Sequence, residues 1–240
     1  MKNIAFVSLG NESKECADIL VKSIKKNNSN CRIIQVSTEK DRNVIGVDEK
    51  LIFDFKPNTF MMNRLESQII VVKQYGPTVF LDSDMLVNKD LNEVFNLLKK
   101  NDLIITERKN NFYIPDTITY SSTDFIKKRS ISIQYPEFTN KTINEVMPYN
   151  GGFIGASNIP VLKKLLQIYL DLPSKFYIWF GDQVALKKIY DAKEFKISVL
   201  GSNYNHNVKD ISNYDKNICI YHFKGRFKKL INPFYEKYIR

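Results

Sequence analysis

The stretch "TVFLDSDMLV", residues 78–87, decides the fold because two carboxylates end a run of apolar residues. A continuous apolar run of this length is typical of a β-strand that helices cover on both faces. Gly76 and Pro77 end the preceding segment and mark where the strand begins. In an open α/β sheet, ligands bind beyond the carboxyl ends of the strands. The sequence therefore places Asp82 and Asp84 where a ligand would bind.

The segments on either side of this strand alternate between strand and helix patterns. They predict strands at residues 4–9, 31–38, 50–55, 78–84, 103–106, 151–157, 195–200 and 217–223, and helices at 11–28, 59–76, 91–102, 159–172 and 182–192. This order predicts an α/β fold in a single domain, with a mostly parallel, Rossmann-like sheet flanked by helices. Residues 107–147 are polar, aromatic and lysine-rich, with weak periodicity, and loops of this length are usually functional or mobile.

Composition bounds the class of protein. The 240 residues suffice for one domain with a large core. The formal net charge of +10 favours a polyanionic partner, such as a nucleotide, a nucleic acid or an anionic membrane surface. The alternative is that most of the lysines lie on solvated faces.

The sequence also predicts a compartment. No apolar run approaches the roughly 20 residues that span a bilayer. The start, "MKNIAFVSLG", is too short and too soon interrupted for a signal peptide, so we expect a first strand there. Cys16, Cys31 and Cys219 lack metal-type spacing, which fits reduced thiols in a cytoplasmic protein.

The two aspartates are expected to converge. Alternate residues of an extended chain point the same way, so Asp82 and Asp84 would face one point while Ser83 faces another. Two adjacent anions repel unless a positive charge lies between them. Mg²⁺ or Mn²⁺ fills its remaining positions with water and phosphate oxygens, so the pair predicts a metal-bound diphosphate. The alternative is a turn in which Asp-Ser-Asp caps exposed amides.

Four further motifs follow along the chain: "PYNGGFIGAS" at 148–157, "FGDQVAL" at 180–186, "SNYNHN" at 202–207 and "HFKGRFK" at 222–228. With "VFLDSDMLV", they resemble, in order and spacing, the motifs of GT-A fold glycosyltransferases of family 8, the glycogenin and lipopolysaccharide galactosyltransferase-like group. The resemblance runs from the first strand to about Lys228. It implies a GT-A fold with a nucleotide-sugar-binding half at 1–105, an acceptor-side half at 106–220 and a basic, aromatic C-terminal segment at 221–240.

The resemblance implies a metal and diphosphate site. His222 would be the third metal ligand beside Asp82 and Asp84, Gly225 would let the backbone approach the diphosphate, and Lys228 would place a charge on the phosphates. The alternative for His222 is an ordinary histidine at the end of a strand. Where the family continues with Pro-Trp, this chain has Lys229-Leu230, so this side of the nucleotide site is expected to differ.

The resemblance also implies contacts to the sugar. Asn150 would contact the sugar or the acceptor, Asp182 would bind donor hydroxyls, and Gln183 would lie near the anomeric carbon. The alternatives are a turn at Asn150-Gly151-Gly152 and a helix N-cap at Asp182.

The remaining assignments concern the nucleotide. Arg64 would reach the nucleotide or donor, although a helical arginine is most often exposed. Ser83 belongs to the aspartate segment, and Leu9 and Asn11 lie at the end of the first strand, where the family binds the base. In "SNYNHN", Asn205 fits the family better than His206, which we expect in a loop.

These residues predict an enzyme that transfers a sugar from a nucleotide diphosphate sugar to an acceptor hydroxyl, with Mn²⁺ or Mg²⁺ as cofactor. The resemblance implies a UDP-sugar donor, retention of configuration, and a glycan or glycolipid acceptor in surface polysaccharide or glycolipid synthesis. The C-terminal segment could rest on the inner face of the membrane beside a lipid-linked acceptor, or form a helix packed on the domain.

Two other functions stay open at this stage. A nucleotidyltransferase that makes sugar nucleotides would need a glycine-rich, basic loop after the first strand, whereas "SLGNESKE" has one glycine and two acids. A nucleic-acid-binding protein, or an inactive glycosyltransferase, would bind without turnover. The sequence has no recognition helix and no paired aromatic boxes, so no nucleic acid partner is expected.

Overall fold

A computed structural model describes residues 1–10, 14–56, 59–109, 117–122, 125–130, 138, 140–177 and 180–240, with the backbone alone for 117–122 and 125–130. The strands are β1 (Lys2–Val7), β2 (Cys31–Ser37), β3 (Glu49–Ile52), β4 (Thr78–Asp82), β5 (Met85–Val87), β6 (Leu103–Glu107), β7 (Thr117–Ser122), β8 (Phe125–Ser130), β9 (Tyr149–Ala156), β10 (Ile197–Leu200), β11 (His206–Asn207) and β12 (Ile220–His222). The helices are α1 (Lys14–Asn27), α2 (Phe60–Tyr75), α3 (Asn92–Leu98), α4 (Ile143–Val146), α5 (Ile159–Leu170), α6 (Gly181–Ala192) and α7 (Ile231–Tyr238).

Seven strands form the central sheet in the order β10-β6-β9-β4-β1-β2-β3. The strands β4, β1, β2 and β3 pair in parallel, as do β10 and β6. Only β9, among these seven, runs antiparallel to both of its neighbours. The expected α/β fold with a mostly parallel sheet is therefore confirmed.

Helices cover both faces of this sheet. Alternate residues of β1 enter different cores: Ile4 and Phe6 pack with α1 and α3, whereas Ala5 packs with α2, α5 and α6. This alternation is the period-2 pattern of a strand buried on both sides. The two cores fix the carboxyl ends of β1 and β4 at one edge of the sheet.

A second, three-stranded sheet carries His222 to that edge. Its order is β11-β12-β5, and β12 pairs antiparallel with β5 so that His222 lies opposite Met85. The backbone amide of Phe223 donates to the carbonyl of Asp84 at 2.9 Å. The small sheet therefore joins the end of the chain to the aspartate segment.

Several predicted boundaries differ from the structure. Helix α3 ends at Leu98, where the side chain of Asn101 donates to the carbonyl of Leu97 and stops further turns. Strand β9 begins at Tyr149 because Tyr149 and Asn150 already pair with β6. The expected strands at 50–55 and 217–223 are shorter, and His206 lies in strand β11 rather than a loop. The expected helix start at 11–13 and parts of 107–147 lie outside the described residues.

The C-terminal segment forms a helix that packs on the domain. In α7, Ile231, Phe234 and Tyr235 are buried, and the ring of Phe234 contacts Tyr221 and Phe223 at 4.8 and 5.3 Å between centroids. The apolar face of α7 is thus occupied by the protein itself. In the described part of the chain, no helix is long and apolar enough to cross a membrane. The three cysteines are free thiols, as expected.

The packing of α7 can be tested at Phe234, which is 0% exposed. We expect Phe234→Ala to lower the free energy of unfolding by about 3–5 kcal/mol, because it removes a buried ring and leaves a cavity. Urea denaturation followed by circular dichroism measures this change. Ile45→Ala, at a side chain that is 80% exposed, is the control and should stay within about 0.5 kcal/mol of the parent. Equal effects of the two substitutions would contradict the packed helix.

Candidate active site

Asp82, Asp84 and His222 meet at the edge of the central sheet. One ligand atom from each lies within 4.8 Å of the others, and the Nε2 atom of His222 is 3.0 Å from Asp84 Oδ1 and 3.5 Å from Asp82 Oδ2. Asp82 ends β4, and His222 ends β12. The convergence expected from the sequence is therefore present, across 140 residues of chain.

The backbone that brings the two aspartates together differs from the extended strand that we expected. Residues 83 and 84 form a turn between β4 and β5, so the two carboxylates are not alternate residues of one extended strand. The carboxylates also do not cap the amides of that turn. Their partners are the side chains of Arg64, His222 and Lys228.

Two cations flank the aspartates. The Nη2 atom of Arg64 lies 2.8 Å from Asp82 Oδ1, and Lys228 Nζ lies 3.3 Å from Asp84 Oδ2. The Arg64 side chain is only 11% exposed and also donates to the carbonyl of Gly151 at 2.6 Å. Arg64 is thus a residue of the cleft and not the exposed helical arginine that was the alternative.

A buried hydrogen-bond network orients the imidazole. Asn205 donates from its amide nitrogen to Thr106 Oγ1 at 3.2 Å, which turns its oxygen toward His222 Nδ1 at 2.8 Å. Nδ1 therefore carries the proton, and the Nε2 lone pair faces the two carboxylates. Asn205 acts on the site through His222, in the manner of residues that fix the tautomer of metal-binding histidines.

Burial and neighbouring side chains set the charge states of Asp84 and His222. Burial would raise the pKa of Asp84, but the neighbouring side chains of His222 and Lys228 outweigh it and lower this pKa to about 2. Burial, aided by the charge of Lys224, lowers the pKa of His222. At neutral pH the cluster therefore offers the ionised carboxylate of Asp84 and a neutral imidazole nitrogen.

This donor set fits a divalent cation. A lone pair and two carboxylate groups facing one another repel, and a cation among them removes the repulsion. Carboxylate oxygens suit Mg²⁺ and Mn²⁺, and the imidazole nitrogen suits Mn²⁺.

Strand β9 passes directly beneath this cluster. A Cβ atom at Gly152 would lie 2.6 Å from the Cε1 atom of His222 and 2.8 Å from the Oδ2 atom of Asp82. Glycine is therefore required at 152 for the close approach. Asn150-Gly151-Gly152 lies inside β9, so the alternative of a hairpin turn is wrong.

Asn150 is held in one orientation. Its Oδ1 accepts from the backbone amide of Gly152 at 3.2 Å and from Lys224 Nζ at 3.0 Å. The oxygen is thereby satisfied, and among the described residues the amide nitrogen has no acceptor. Asn150 lines the cleft, which agrees with its expected place.

Asp182 lies inside helix α6, as its second residue, and not at the N-cap. The N-cap position is Phe180, so the capping alternative is wrong. Asp182 is 4% exposed, its Oδ1 accepts from the amide of Gln183 at 2.9 Å, and its Oδ2 lies 3.9 Å from Arg64. Burial raises the pKa of Asp182 to about 6, against the opposing charge of Arg64.

Two cations of the site were missed from the sequence. Lys224, two residues after His222, lines the cleft, and burial lowers its pKa to about 8. Arg108 follows β6 and donates to the side chain of Gln183, which fixes the orientation of that amide. The position of Arg108 just beyond the carboxyl end of a strand was a usable signal. Lys224 gave no such signal, because the charge of a residue does not predict which way its side chain points.

The metal-binding cluster, strand β9 and the start of α6 line a cleft of about 470 Å³. The expected residues that line it are Arg64, Asp82, Ser83, Asp84, Asn150, Asp182, Gln183, His222, Gly225 and Lys228. Leu9 does not line it, although Val7 from the same chain segment does. Asn11 lies outside the described residues.

No protein-family model and no curated protein sequence matches this chain. Solved structures match at the level of the fold. The galactosyltransferase LgtC, in complex with donor and acceptor sugar analogs, superposes with a TM-score of 0.61 at 10% identity, covering 99% of this chain and 96% of LgtC. A glycosyltransferase involved in glycosylation of the major capsid of PBCV-1 gives 0.61 at 11% identity and 98% coverage of each chain.

Two longer glycosyltransferases also match. GlyE from Streptococcus pneumoniae TIGR4 gives a TM-score of 0.60 at 14% identity, and the bifunctional WbbM gives 0.61 at 13%. Each match covers 98% of this chain, which spans 60% of the GlyE structure and 49% of the WbbM structure. This chain therefore shares the GT-A fold of its structural neighbours, which are named glycosyltransferases.

The role of Asn205 can be tested by metal binding. We expect Asn205→Ala to lower the affinity for Mn²⁺ by about 10- to 100-fold, because the imidazole loses the partner that holds its tautomer. Asn205→Asp keeps an acceptor for Nδ1–H and should retain most of the affinity. Isothermal titration with Mn²⁺ measures both. Asn203→Ala, whose side chain contacts Cys219 and not His222, is the control. Equal affinities of all three variants would refute the positioning role.

The buried carboxylate of Asp182 predicts a pH-dependent cost in stability. Because its folded-state pKa is about 6 against 3.8 in the unfolded chain, ionisation opposes folding increasingly as the pH rises from about 4 to 7. We expect Asp182→Asn to stabilise the protein at pH 7 by about 1–3 kcal/mol and much less at pH 4.5. Thermal melts across this range measure the difference. The exposed Asp171→Asn is the control, and a pH-independent effect of Asp182→Asn would contradict the assignment.

Proposed function

We propose that this protein is a divalent-metal-dependent glycosyltransferase that moves a sugar from a nucleotide diphosphate sugar to an acceptor hydroxyl. The observation that carries the proposal is the meeting of Asp82, Asp84 and His222 in a cleft that also presents Lys228. Paired carboxylates with a neutral imidazole suit Mn²⁺ or Mg²⁺, and such ions commonly share their coordination with phosphate oxygens. The GT-A fold of the neighbouring glycosyltransferases supports the same reaction class.

The diphosphate end of the donor would lie between the aspartates and Lys228. The bound cation would supply Lewis-acid stabilisation of the departing nucleotide diphosphate. Lys228 adds a positive charge at the same place: burial acts against its charge, but the adjacent Asp84 carboxylate raises its pKa. Gly225, with φ of 54°, turns the backbone between His222 and Lys228 so that both face the cleft.

The sugar would lie over strand β9 and the start of α6. The amide nitrogen of Asn150 is available to donate to a sugar hydroxyl, since its oxygen is held by Gly152 and Lys224. Asp182 accepts through a carboxylate packed against Gly151, and Arg64 compensates its charge. Gln183 is oriented by Arg108 toward the same space.

We further propose a UDP-sugar donor and retention of the anomeric configuration, as the family 8 resemblance implies. The carboxylates that line the cleft already have other tasks: Asp82 and Asp84 serve the cation, and Asp182 is buried against Gly151 and Arg64. Front-face attack by the acceptor, assisted by the leaving phosphate, therefore suits this cleft better than a protein nucleophile. A cytoplasmic location and a role in glycan or glycolipid synthesis complete the proposal.

The decisive test is a screen of nucleotide sugars with Mn²⁺ for thermal stabilisation and slow hydrolysis of the donor. We expect a UDP-sugar to be hydrolysed by the parent. Asp84→Ala should lower this hydrolysis by at least about 100-fold, since it removes a metal ligand. Asp54→Ala, at an exposed aspartate outside the cleft, should leave it unchanged. Undiminished hydrolysis by Asp84→Ala would refute the site, and stabilisation by nucleoside triphosphates alone would favour a nucleotidyltransferase.

A further inference from the structure

A second cavity, of about 200 Å³, adjoins the cleft at Asn150, which lines both. Its walls are the end of β6 and the segment 205–213 that carries β11. Asn205, which orients His222, contributes to the same wall. A molecule that occupies this cavity therefore reaches the side of the cleft where the donor sugar would lie.

The charges of this cavity all have one sign. Arg108, Lys109 and Lys209 line it, and no acidic side chain does among the residues that the structure describes. In the same wall, burial and then the charge of Lys109 lower the pKa of His206, against the opposing charge of Asp215. Such a cavity favours an anion.

The contacts of Arg108 and Asn207 indicate which class of anion would fit this cavity. The guanidinium of Arg108 binds the side chain of Gln183 and the carbonyl of Met147, so it ties the cavity to the sugar-facing end of α6. Asn207 lines the cavity and has a buried Oδ1 atom with no hydrogen-bond partner in the described chain, which a donor such as a ligand hydroxyl would satisfy. A ligand with both an oxyanion and hydroxyl groups satisfies the cations and the amide together.

We propose that the acceptor carries a phosphate or carboxylate group near its reacting hydroxyl, and that Arg108, Lys109 and Lys209 bind this group. The proposal rests on the proposed glycosyltransferase function and specifies its acceptor class: an acidic sugar, a sugar phosphate or a polyol phosphate. Fixing the oxyanion in the second cavity positions the hydroxyl beside Asn150.

With such an acceptor, sugar transfer forms one bond to the anomeric carbon and breaks another. Its hydroxyl oxygen bonds to the anomeric carbon of the donor sugar, and the bond from that carbon to the phosphate oxygen breaks. The electron pair leaves with the nucleotide diphosphate, which also takes the hydroxyl proton. The anionic group of the acceptor does not react.

Matched acceptors test the proposal with the donor that the hydrolysis screen identifies. Glucose is compared with glucuronate and glucose 6-phosphate, and glycerol with glycerol 3-phosphate. We expect kcat/KM to be at least about tenfold higher for the acidic member of a set. Lys209→Glu should abolish this preference, whereas Lys22→Glu, at an exposed lysine of α1 outside the cavity and the cleft, should keep it. Neutral acceptors that are used as well as acidic ones would overturn the proposal.

A binding measurement separates this inference from the proposed function. Sulfate, as a tetrahedral oxyanion, is titrated into the protein with UDP and Mn²⁺ present, and the thermal shift is followed. The parent and Lys22→Glu should be stabilised, and Lys209→Glu should not. Sulfate stabilisation that Lys209→Glu leaves intact would refute the anion site. A third outcome is sulfate stabilisation that depends on Lys209 while no donor is hydrolysed. That outcome would refute the glycosyltransferase function, and with it the role of the cavity in binding an acceptor, but it would leave an anion-binding cavity.

Discussion

Oxygen atoms of two carboxylates and a nitrogen atom of an imidazole lie within 4.8 Å of one another in this protein. Most features of the site compensate for the repulsion among these atoms. Arg64 and Lys228 neutralise the aspartates from outside the cluster. Asn205 turns the imidazole lone pair inward, and glycine at 152 lets strand β9 pass without displacing His222. The crowding costs free energy, so its persistence inside a folded cleft favours a functional cation site over a structural one.

The basic excess of the chain has two origins. Arg64, Lys224 and Lys228 line the cleft, and Arg108, Lys109 and Lys209 line the neighbouring cavity. A nucleotide diphosphate and an acidic acceptor would give these side chains their counter-charges. Many other lysines, such as those on the outer face of α1, lie on solvated surfaces. The solvated-face interpretation is therefore correct for these lysines, and the polyanionic partner stays a proposal for the cations of the cleft and the cavity.

Local patterns predicted much of this fold, but not its chain directions or its close contacts. Periodicity identified the buried strand at 78–82 and the helices at 60–75 and 159–170 to within a few residues. It could not reveal that β9 runs antiparallel, because a strand buried on both faces has the same pattern in either direction. Likewise, Asp182 was eligible as an N-cap by residue type, and only the folded chain shows that Phe180 is the N-cap and that Asp182 is the second residue of the helix.

The sequence by itself determined the α/β class, the aspartate pair and, through motif order, the candidate residues for metal, phosphate and sugar. Those are properties of residue type and spacing, which the chain carries before it folds. The tertiary structure alone decided which side chains touch: the pairing of β12 with β5 brings His222 to Asp84, and the end of β6 brings Arg108 to Gln183. It also decided protonation, since burial and neighbouring charges, which set the pKa values of Asp84, Asp182 and Lys224, exist only in the folded chain.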